Sequence, residues 1–283
     1  MHVKILVDST ADLNPAVQER ISVLPLTIHF GDEEYLDGVT ITGQEFYEKL
    51  VESDVMPTTS QASPYAFEER FSELTANGDQ VIAITVSSKL SGTYQSAMIA
   101  AENFPGKVWV VDSASVAIGA GILAEHALNL ADYGVSAAEI AEQLETVKSR
   151  IHVLAMLDTL EFLKRGGRIS KAVALAGNML SIKPVVSLDG GEITVRGKAR
   201  GSRQANNLLV KEIQAAGGVD FTMPLMLGYT GLSDVLLKKY IADSGDLWQN
   251  NCRELPYAMI GSVVGTHAGP GAVAVAFFAK DTH

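Results

Sequence analysis

The chain has a single cysteine, Cys252, among its 283 residues. This excludes an intramolecular disulfide framework and is typical of a protein from a reducing compartment. We interpret Cys252 as a packed or unreactive thiol rather than as a nucleophile. The six histidines are scattered, without i,i+4 pairs and without cysteine partners, so we predict that the protein has no metal site.

Basic residues are also scarce. The 22 lysines and arginines stand against 33 acidic residues, which gives a formal net charge of -11. Such a charge repels a phosphate backbone on average, and no run of basic residues reverses it locally. We therefore expect no nucleic-acid partner.

Long hydrophobic runs are missing as well, although 47% of the residues are hydrophobic and only 19% are charged. The longest apolar region, 255–279, is interrupted by His267 and by Gly-Pro-Gly, so no window reaches the roughly 18 residues of a membrane span. Asp8 falls where the apolar region of a signal peptide would lie. We expect a cytoplasmic, globular protein with no export signal and no transmembrane segment.

The first half alternates short apolar runs with helix signals, which is typical of an α/β unit with a largely parallel sheet. Capped helices are predicted to begin at Thr42, where Glu45 completes a capping box, at Ser63 and at Ser136. Buried strands are predicted at 3–7, 80–86 and 107–112. We predict a Rossmann-like, doubly wound layer.

The pattern changes in the second half. Residues 182–200 contain two strand signals joined across Asp189-Gly190-Gly191, as in a β-hairpin. Further helices are predicted at 202–216 and 233–243, and strands at 223–231 and 272–279. We therefore predict an α/β fold of two domains, with an N-terminal α/β domain (1–152) and a C-terminal α+β domain (153–283).

The segment 85–104 joins the end of a buried strand to a helix through a loop rich in hydroxyl groups. Ligands of open α/β sheets bind at the carboxyl ends of strands, where the next helix presents unpaired N–H groups that favour an anion. Ser91 and Thr93 offer hydroxyl donors, and Gly92 permits close approach to the backbone. Alternatively, Ser91 or Thr93 only caps the helix.

A second loop with hydroxyl groups is predicted at 56–65, before the helix that begins at Ser63. Thr58, Thr59, Ser60, Gln61 and Ser63 offer more donors than one helix cap needs, although an ordinary solvated turn has the same composition. Two such loops in one domain favour an anion-binding pocket.

Two arginines follow glycine-containing turns. Gly166-Gly167 is predicted to end a short helix and to present Arg168, and Arg200 follows the predicted hairpin. Either guanidinium can bind a carboxylate or a phosphate, although most arginines are simply surface residues.

His267 lies in the glycine-rich segment 263–271, which we interpret as a loop. With Ser91 it raises the hypothesis of a serine-type acyl hydrolase, although the G-x-S-x-G elbow is absent. The segment 119–124 formally matches G-x-G-x-x-A, but a dinucleotide site needs a strand directly before the first glycine. Small residues for close helix packing explain that segment better.

Seven segments, spread over nearly the whole chain, form a recognisable set: DSTADL (8–13), YLDGVTI (35–41), TTSQAS (58–63), SSKLSGTYQSA (87–97), DTLEFLKRGGRIS (158–170), IKPVV (182–186) and GTHAGPG (265–271). In kind and in order, they resemble the motifs of the DegV family of bacterial fatty-acid-binding proteins. Ala62 departs from the family pattern, which commonly has proline after Thr-Ser-Gln. That change removes no hydrogen-bond donor.

The resemblance implies a two-domain carrier without turnover or resident cofactor. It holds a long-chain fatty acid in an apolar tunnel and presents the carboxylate to a separate ATP-dependent fatty acid kinase, for phospholipid synthesis. Transient contact with a membrane surface is compatible with that role. The resemblance places the carboxylate contacts on Thr59, Ser60, Ser91, Gly92 and His267.

The resemblance also places Arg168 and Arg200 at basic positions near the opening of the tunnel. Two guanidinium groups at that place suit either a phosphoryl group or the kinase. The hydrolase hypothesis, with Ser91 and His267 as its reacting pair, stays open beside the carrier.

Overall fold

The computed structural model describes residues 2–170, 182–249, 251–252 and 254–281. Within these ranges the strands form three sheets. The strands are β1 (Val3–Asp8), β2 (Ser22–Leu24), β3 (Thr27–Phe30), β4 (Glu33–Leu36), β5 (Thr58–Ser60), β6 (Gln80–Thr85), β7 (Val108–Asp112), β8 (Ile151–Met156), β9 (Ile182–Asp189), β10 (Glu192–Arg200), β11 (Leu225–Tyr229), β12 (Tyr257–Met259) and β13 (Val273–Phe278). The helices are α1 (Gly43–Glu52), α2 (Pro64–Thr75), α3 (Thr93–Ala101), α4 (Ile118–Asp132), α5 (Ala137–Val147), α6 (Glu161–Arg165), α7 (Gly201–Ala215), α8 (Val235–Asp243), α9 (Gly245–Trp248) and α10 (Ser262–Ala268).

The N-terminal part is built on a four-stranded sheet of order β2-β1-β6-β7, in which every neighbouring pair is parallel. Its strands are apolar on both faces. Leu6 packs into one core with α2 and α3, whereas Ile5 and Val7 pack into another with α4 and α5. Both faces of a parallel sheet must be covered in this way. The predicted doubly wound layer is confirmed.

A second, antiparallel sheet of order β4-β3-β5 lies in the same part of the chain. The prediction of a loop at 56–65 is wrong in its centre, because Thr58–Ser60 is strand β5 and pairs with β3 at Ile28↔Thr59. Three residues are too short to show a strand period, and the pairing partner lies about 30 residues away in sequence.

The C-terminal part is built on a mixed six-stranded sheet of order β10-β9-β8-β13-β11-β12. The predicted hairpin is confirmed, with Gly190 (φ 55) and Gly191 (φ 86) in the left-handed conformation between β9 and β10. The apolar strand β13 lies inside the sheet, between β8 and β11.

Helix α4 packs against strands of both large sheets, including β1 and β13. Its glycines permit this close packing, because a side-chain carbon on Gly121 would lie 1.9 Å from the Asp12 carbonyl oxygen. The interpretation of 119–124 as a packing segment is therefore confirmed. None of the described helices is both long and apolar enough to span a membrane.

Candidate functional site

A cavity of about 430 Å³ lies between the two parts of the chain. This volume falls in the usual range of about 300–1,000 Å³ for small-molecule sites. Most of its wall is apolar. It comes from the six-stranded sheet and its neighbouring segments, and from segments that follow strands of the four-stranded sheet, for example Leu26, Val86, Val153, Leu157, Val186 and Ile260. A set that we call the polar cluster also lines it: Thr59, Ser60, Gln61, Ser91, Gly92, Arg168 and His267.

Thr59 and His267 meet across the junction between the two parts. Thr59 Oγ1 lies 2.9 Å from His267 Nε2, although the residues are 208 positions apart. Thr59 stands on β5 and His267 on α10, so this contact joins the small antiparallel sheet to the C-terminal part. The predicted pocket therefore has its polar groups on both sides of the junction.

His267 lies in a helix, so the interpretation of its segment as a loop is wrong. Helix α10 runs from Ser262 to Ala268 and ends at Gly269, which has φ 72. Gly265 is buried in this helix, because a side-chain carbon there would lie 2.5 Å from Tyr47 Oη. The helix is not detected by hydrophobic periodicity, because it has only seven residues and one of them is a glycine.

The imidazole of His267 is neutral near pH 7. Burial, and secondly the positive charge of Arg168, lower the pKa of His267 to about 4. Its buried Nδ1 atom has no hydrogen-bond partner among the described residues. A lone pair on Nδ1 is favoured by the nearby guanidinium, so the proton belongs on Nε2. Nε2–H then donates to Thr59 Oγ1.

The hydroxyl of Ser91 is likewise hydrogen-bonded to a neighbouring residue. Its Oγ accepts from the Thr93 backbone N–H at 3.3 Å and lies 2.9 Å from Thr93 Oγ1. Thr93 is fully buried, whereas Ser91 faces the cavity. The hydroxyl proton of Thr93 would be unsatisfied unless it donates to Ser91, because a buried donor without an acceptor is costly. The proton of Ser91 is then free to point into the cavity.

The hydroxyl of Ser60 points elsewhere. Side chains alternate along a strand, and Ser60 Oγ lies 2.9 Å from His29 Nε2 on the neighbouring strand. Ser60 can serve the cavity through its main chain. Gly92 is constrained by Gln61, since a side-chain carbon at position 92 would lie 2.1 Å from Gln61 Oε1.

Arg168 follows α6 and Gly167, which has φ 71, as predicted. Its Nε donates to the Leu90 carbonyl at 3.2 Å and its Nη1 to the Gly166 carbonyl at 2.6 Å. These bonds hold a half-buried guanidinium against the wall, and burial lowers the pKa of Arg168. Arg200 is exposed at the end of β10 and is not part of the cavity wall.

Comparisons with known proteins agree on one family. The family model described as "Uncharacterised protein, DegV family" matches residues 2–280. A DegV domain-containing protein of Caldanaerobacter subterraneus subsp. tengcongensis is 36% identical over 98% of this chain and 99% of its own. The chain belongs to the DegV family.

Two solved DegV structures are similar over almost their full length. A DegV family protein from Thermus thermophilus, described as binding fatty acid, has a TM-score of 0.87 and 32% identity, covering 98% of this chain and 100% of its own. DegV from Bacillus subtilis, described as a fatty acid binding protein, has a TM-score of 0.83 and 28% identity, covering 99% and 100%. The two-part α/β architecture is the DegV fold.

Gln61 was missed as a residue that shapes the site. Its Nε2 donates to Ser96 Oγ on α3 at 3.1 Å, and its amide lies over Gly92. It thus connects β5 to the start of α3, between the two hydroxyl-bearing segments. The sequence indicated only that Gln61 was one of several donors, because the contact with Gly92 depends on tertiary packing.

The hydrogen bonds of a serine hydrolase are not formed by Ser91 and His267. Ser91 is bonded to Thr93, and His267 to Thr59. In the described ranges no carboxylate accepts a bond from His267 Nδ1, whereas a triad needs such a group to orient the base. The same ranges contain no cluster of three His, Cys, Asp or Glu side chains that could hold a metal ion.

Proposed function

We propose that this DegV protein binds a long-chain fatty acid, with the carboxylate at the polar cluster and the acyl chain along the apolar wall. One observation carries the proposal. Thr59 Oγ1 lies 2.9 Å from His267 Nε2, and Ser91 Oγ lies 2.9 Å from Thr93 Oγ1. With the His267 proton on Nε2 and the Thr93 proton on its own hydroxyl, both oxygens are acceptors, and the hydroxyl protons of Thr59 and Ser91 are left to point into the cavity. Two hydroxyl donors in the wall of one apolar cavity are matched by a carboxylate.

The energetics fit such a ligand. A carboxylate buried without donors costs several kcal/mol, and the two hydroxyls with nearby backbone N–H groups offset that cost. Burying a chain of about fifteen methylenes contributes on the order of 12 kcal/mol before the costs of association, at about 0.8 kcal/mol each. The Thermus thermophilus and Bacillus subtilis proteins, both described as binding fatty acid, support the same choice of ligand.

Thr59, Ser60, Ser91, Gly92 and His267 form the carboxylate site in this proposal. Thr59 and Ser91 donate directly, Ser60 and Gly92 contribute main chain, and His267 orients the hydroxyl of Thr59. Residues 1–152 form the domain that supplies the carboxylate-binding segments. Residues 153–283 form the domain that supplies His267 and much of the acyl pocket.

The carrier presents its ligand to a separate ATP-dependent fatty acid kinase, which forms the acyl phosphate in the cytoplasm. Arg168 supports this step, because its guanidinium lines the cavity and forms no ion pair within the described ranges. A phosphoryl group added to the carboxylate would give the Arg168 guanidinium an anionic partner. Arg200, exposed beyond the wall, is assigned to contact with the kinase.

The test is the lipid content of the purified protein. Native mass spectrometry is expected to show one fatty acid per chain, and delipidated protein is expected to take up palmitate or oleate. An empty protein that takes up neither would overturn the proposal. Labelling of Ser91 by a fluorophosphonate would instead favour the hydrolase.

Ser91→Ala and Thr59→Val test the two donors. Each is expected to weaken oleate binding by about 10- to 100-fold, since a hydrogen bond to a charged group contributes about 1.5–3 kcal/mol. Ser88→Ala and Thr58→Val are matched controls on the same loop and strand, because both residues are exposed and neither lines the cavity. Unchanged affinity in both test variants would contradict the assignment.

A further inference from the structure

The helix that carries His267 begins against two buried aspartates from the N-terminal part. The Gly261 N–H donates to Asp12 Oδ1 at 2.7 Å, and the Ser262 N–H donates to Asp37 Oδ1 at 3.3 Å. Asp12 belongs to the DSTADL segment and Asp37 to YLDGVTI. Neither aspartate lines the cavity, although Thr10 of the first segment does. The proposed function therefore gives the two carboxylates no ligand contact.

These bonds join parts of the chain that are far apart in sequence. They span 249 and 225 residues, and the aspartates are only 8% and 6% exposed. A third bond, from Tyr47 Oη to the Ile260 carbonyl at 2.8 Å, fixes the residue just before them. The N-terminal part therefore holds both N–H groups and one carbonyl at the start of α10.

We propose that Asp12 and Asp37 are positioning residues that set the place of His267 through helix α10. The helix has seven residues, and His267 stands near its other end. A short helix moves as a rigid unit, so a shift at Gly261 reaches the imidazole. The bond between His267 Nε2 and Thr59 Oγ1, at 2.9 Å, depends on that placement.

The effect on ligand binding rests on the proposed function, because Thr59 acts there as a carboxylate donor. A purely structural role for the aspartates would lower stability without a special connection to His267. The two roles predict different results when an aspartate and His267 are substituted together. Residues that act through one another have non-additive effects in a double-mutant cycle, whereas independent residues have additive ones.

The experiment measures oleate affinity for Asp37→Ala, His267→Gln and the double variant, with Asp12→Ala in a parallel cycle. Asp37→Ala is expected to weaken binding about tenfold, which is the loss expected when misplacement of His267 removes the one hydrogen bond from Thr59 to the carboxylate. In the His267→Gln background it is expected to have less than about a twofold effect. An equal loss in both backgrounds would overturn the positioning role.

Conservative variants keep the test decisive if an alanine variant fails to fold. Asp37→Asn and Asp12→Asn retain an oxygen acceptor for the backbone N–H and are expected to restore binding to within about threefold. Asp79→Ala is the control for removal of a buried aspartate away from α10. Asp79 accepts from the His2 N–H at 2.9 Å, pairs with Lys4 Nζ at 3.1 Å and does not line the cavity. Asparagine variants that bind as weakly as the alanine variants would contradict the inference.

A measurement on the ligand-free protein tests the positioning role independently of fatty acid binding. The imidazole NMR signals of His267 are expected to shift in ligand-free Asp37→Ala and to stay near wild type in Asp37→Asn and Asp79→Ala. Wild-type protein that takes up no fatty acid would overturn the proposed function and leave this readout valid. Unchanged His267 signals in Asp37→Ala would overturn the positioning role.

Discussion

At the scale of single residues, the protonation of His267 decides which atoms face the ligand. Since its pKa is lowered to about 4, the ligand-free imidazole stays neutral at every pH well above that value. The neutral ring has one N–H, which is used on Thr59. In the proposed function, hydroxyl protons of the polar cluster therefore bind the carboxylate, with the charge of Arg168 close by.

This protonation state can be measured directly. The pKa of His267 in the ligand-free protein is expected near 4, and a bound carboxylate is expected to raise it, because a nearby negative charge favours the imidazolium. Titration of the imidazole signals by NMR, with and without oleate, checks both values. A ligand-free pKa near the ordinary 6.5 would contradict the placement of the ring.

The same pKa has a consequence for stability. The folded-state value lies below the unfolded value of about 6.5, so the unfolded chain binds more protons between these limits. The stability from the neutral ring is therefore present above about pH 6.5 and is lost as the pH falls towards 4. His267→Gln removes this titrating group. The unfolding free energy of the variant, measured in urea, is therefore expected to fall less steeply than that of wild type as the pH is lowered.

At the scale of elements, helix α10 depends on a glycine where propensity favours alanine. Gly265→Ala would improve helix propensity by about 1 kcal/mol. The added carbon, however, would lie 2.5 Å from Tyr47 Oη and 2.9 Å from Phe46 Cε1, both in α1. We expect a net loss of about 1–3 kcal/mol in unfolding free energy, together with weaker oleate binding, because α10 must move away from α1.

Gly43→Ala is the control for that substitution. Its added carbon would meet only the Met259 Sδ at 3.2 Å, and a flexible methionine side chain can give way. Chemical denaturation and oleate titration of both variants check the comparison. A Gly265→Ala protein as stable as wild type would show that α10 can shift at no cost.

The same elements show what the sequence could predict. Strands β1, β6 and β7 were predictable, because a strand covered on both faces is a continuous apolar run between turn signals. Strand β5 and helix α10 were not, since three and seven residues are too few for periodicity and both depend on distant partners. The resemblance to the family's motifs pointed to Thr59, Ser91 and His267. Their hydrogen-bond partners could not be predicted, because those partners depend on tertiary packing.

At the scale of the whole molecule, the cavity wall joins the two parts. Ser87 Oγ also donates to the Gly191 carbonyl at 2.8 Å, which ties the β9–β10 hairpin to the loop that leads to Ser91. A ligand in this cavity contacts the six-stranded sheet on one side and, on the other, β5 and the segments that follow strands of the four-stranded sheet. Ligand binding is therefore expected to stabilise both parts together rather than one of them.

The two tryptophans of the chain test this expectation, because Trp109 is in β7 of the N-terminal part and Trp248 is in α9 of the C-terminal part. Trp109→Phe and Trp248→Phe each leave one fluorescent reporter. Oleate at 100 times its dissociation constant is expected to add about 2.7 kcal/mol to the unfolding free energy seen by either reporter. A shift confined to one reporter would mean that the ligand binds within one part, because a molecule held by both walls must leave before either part unfolds.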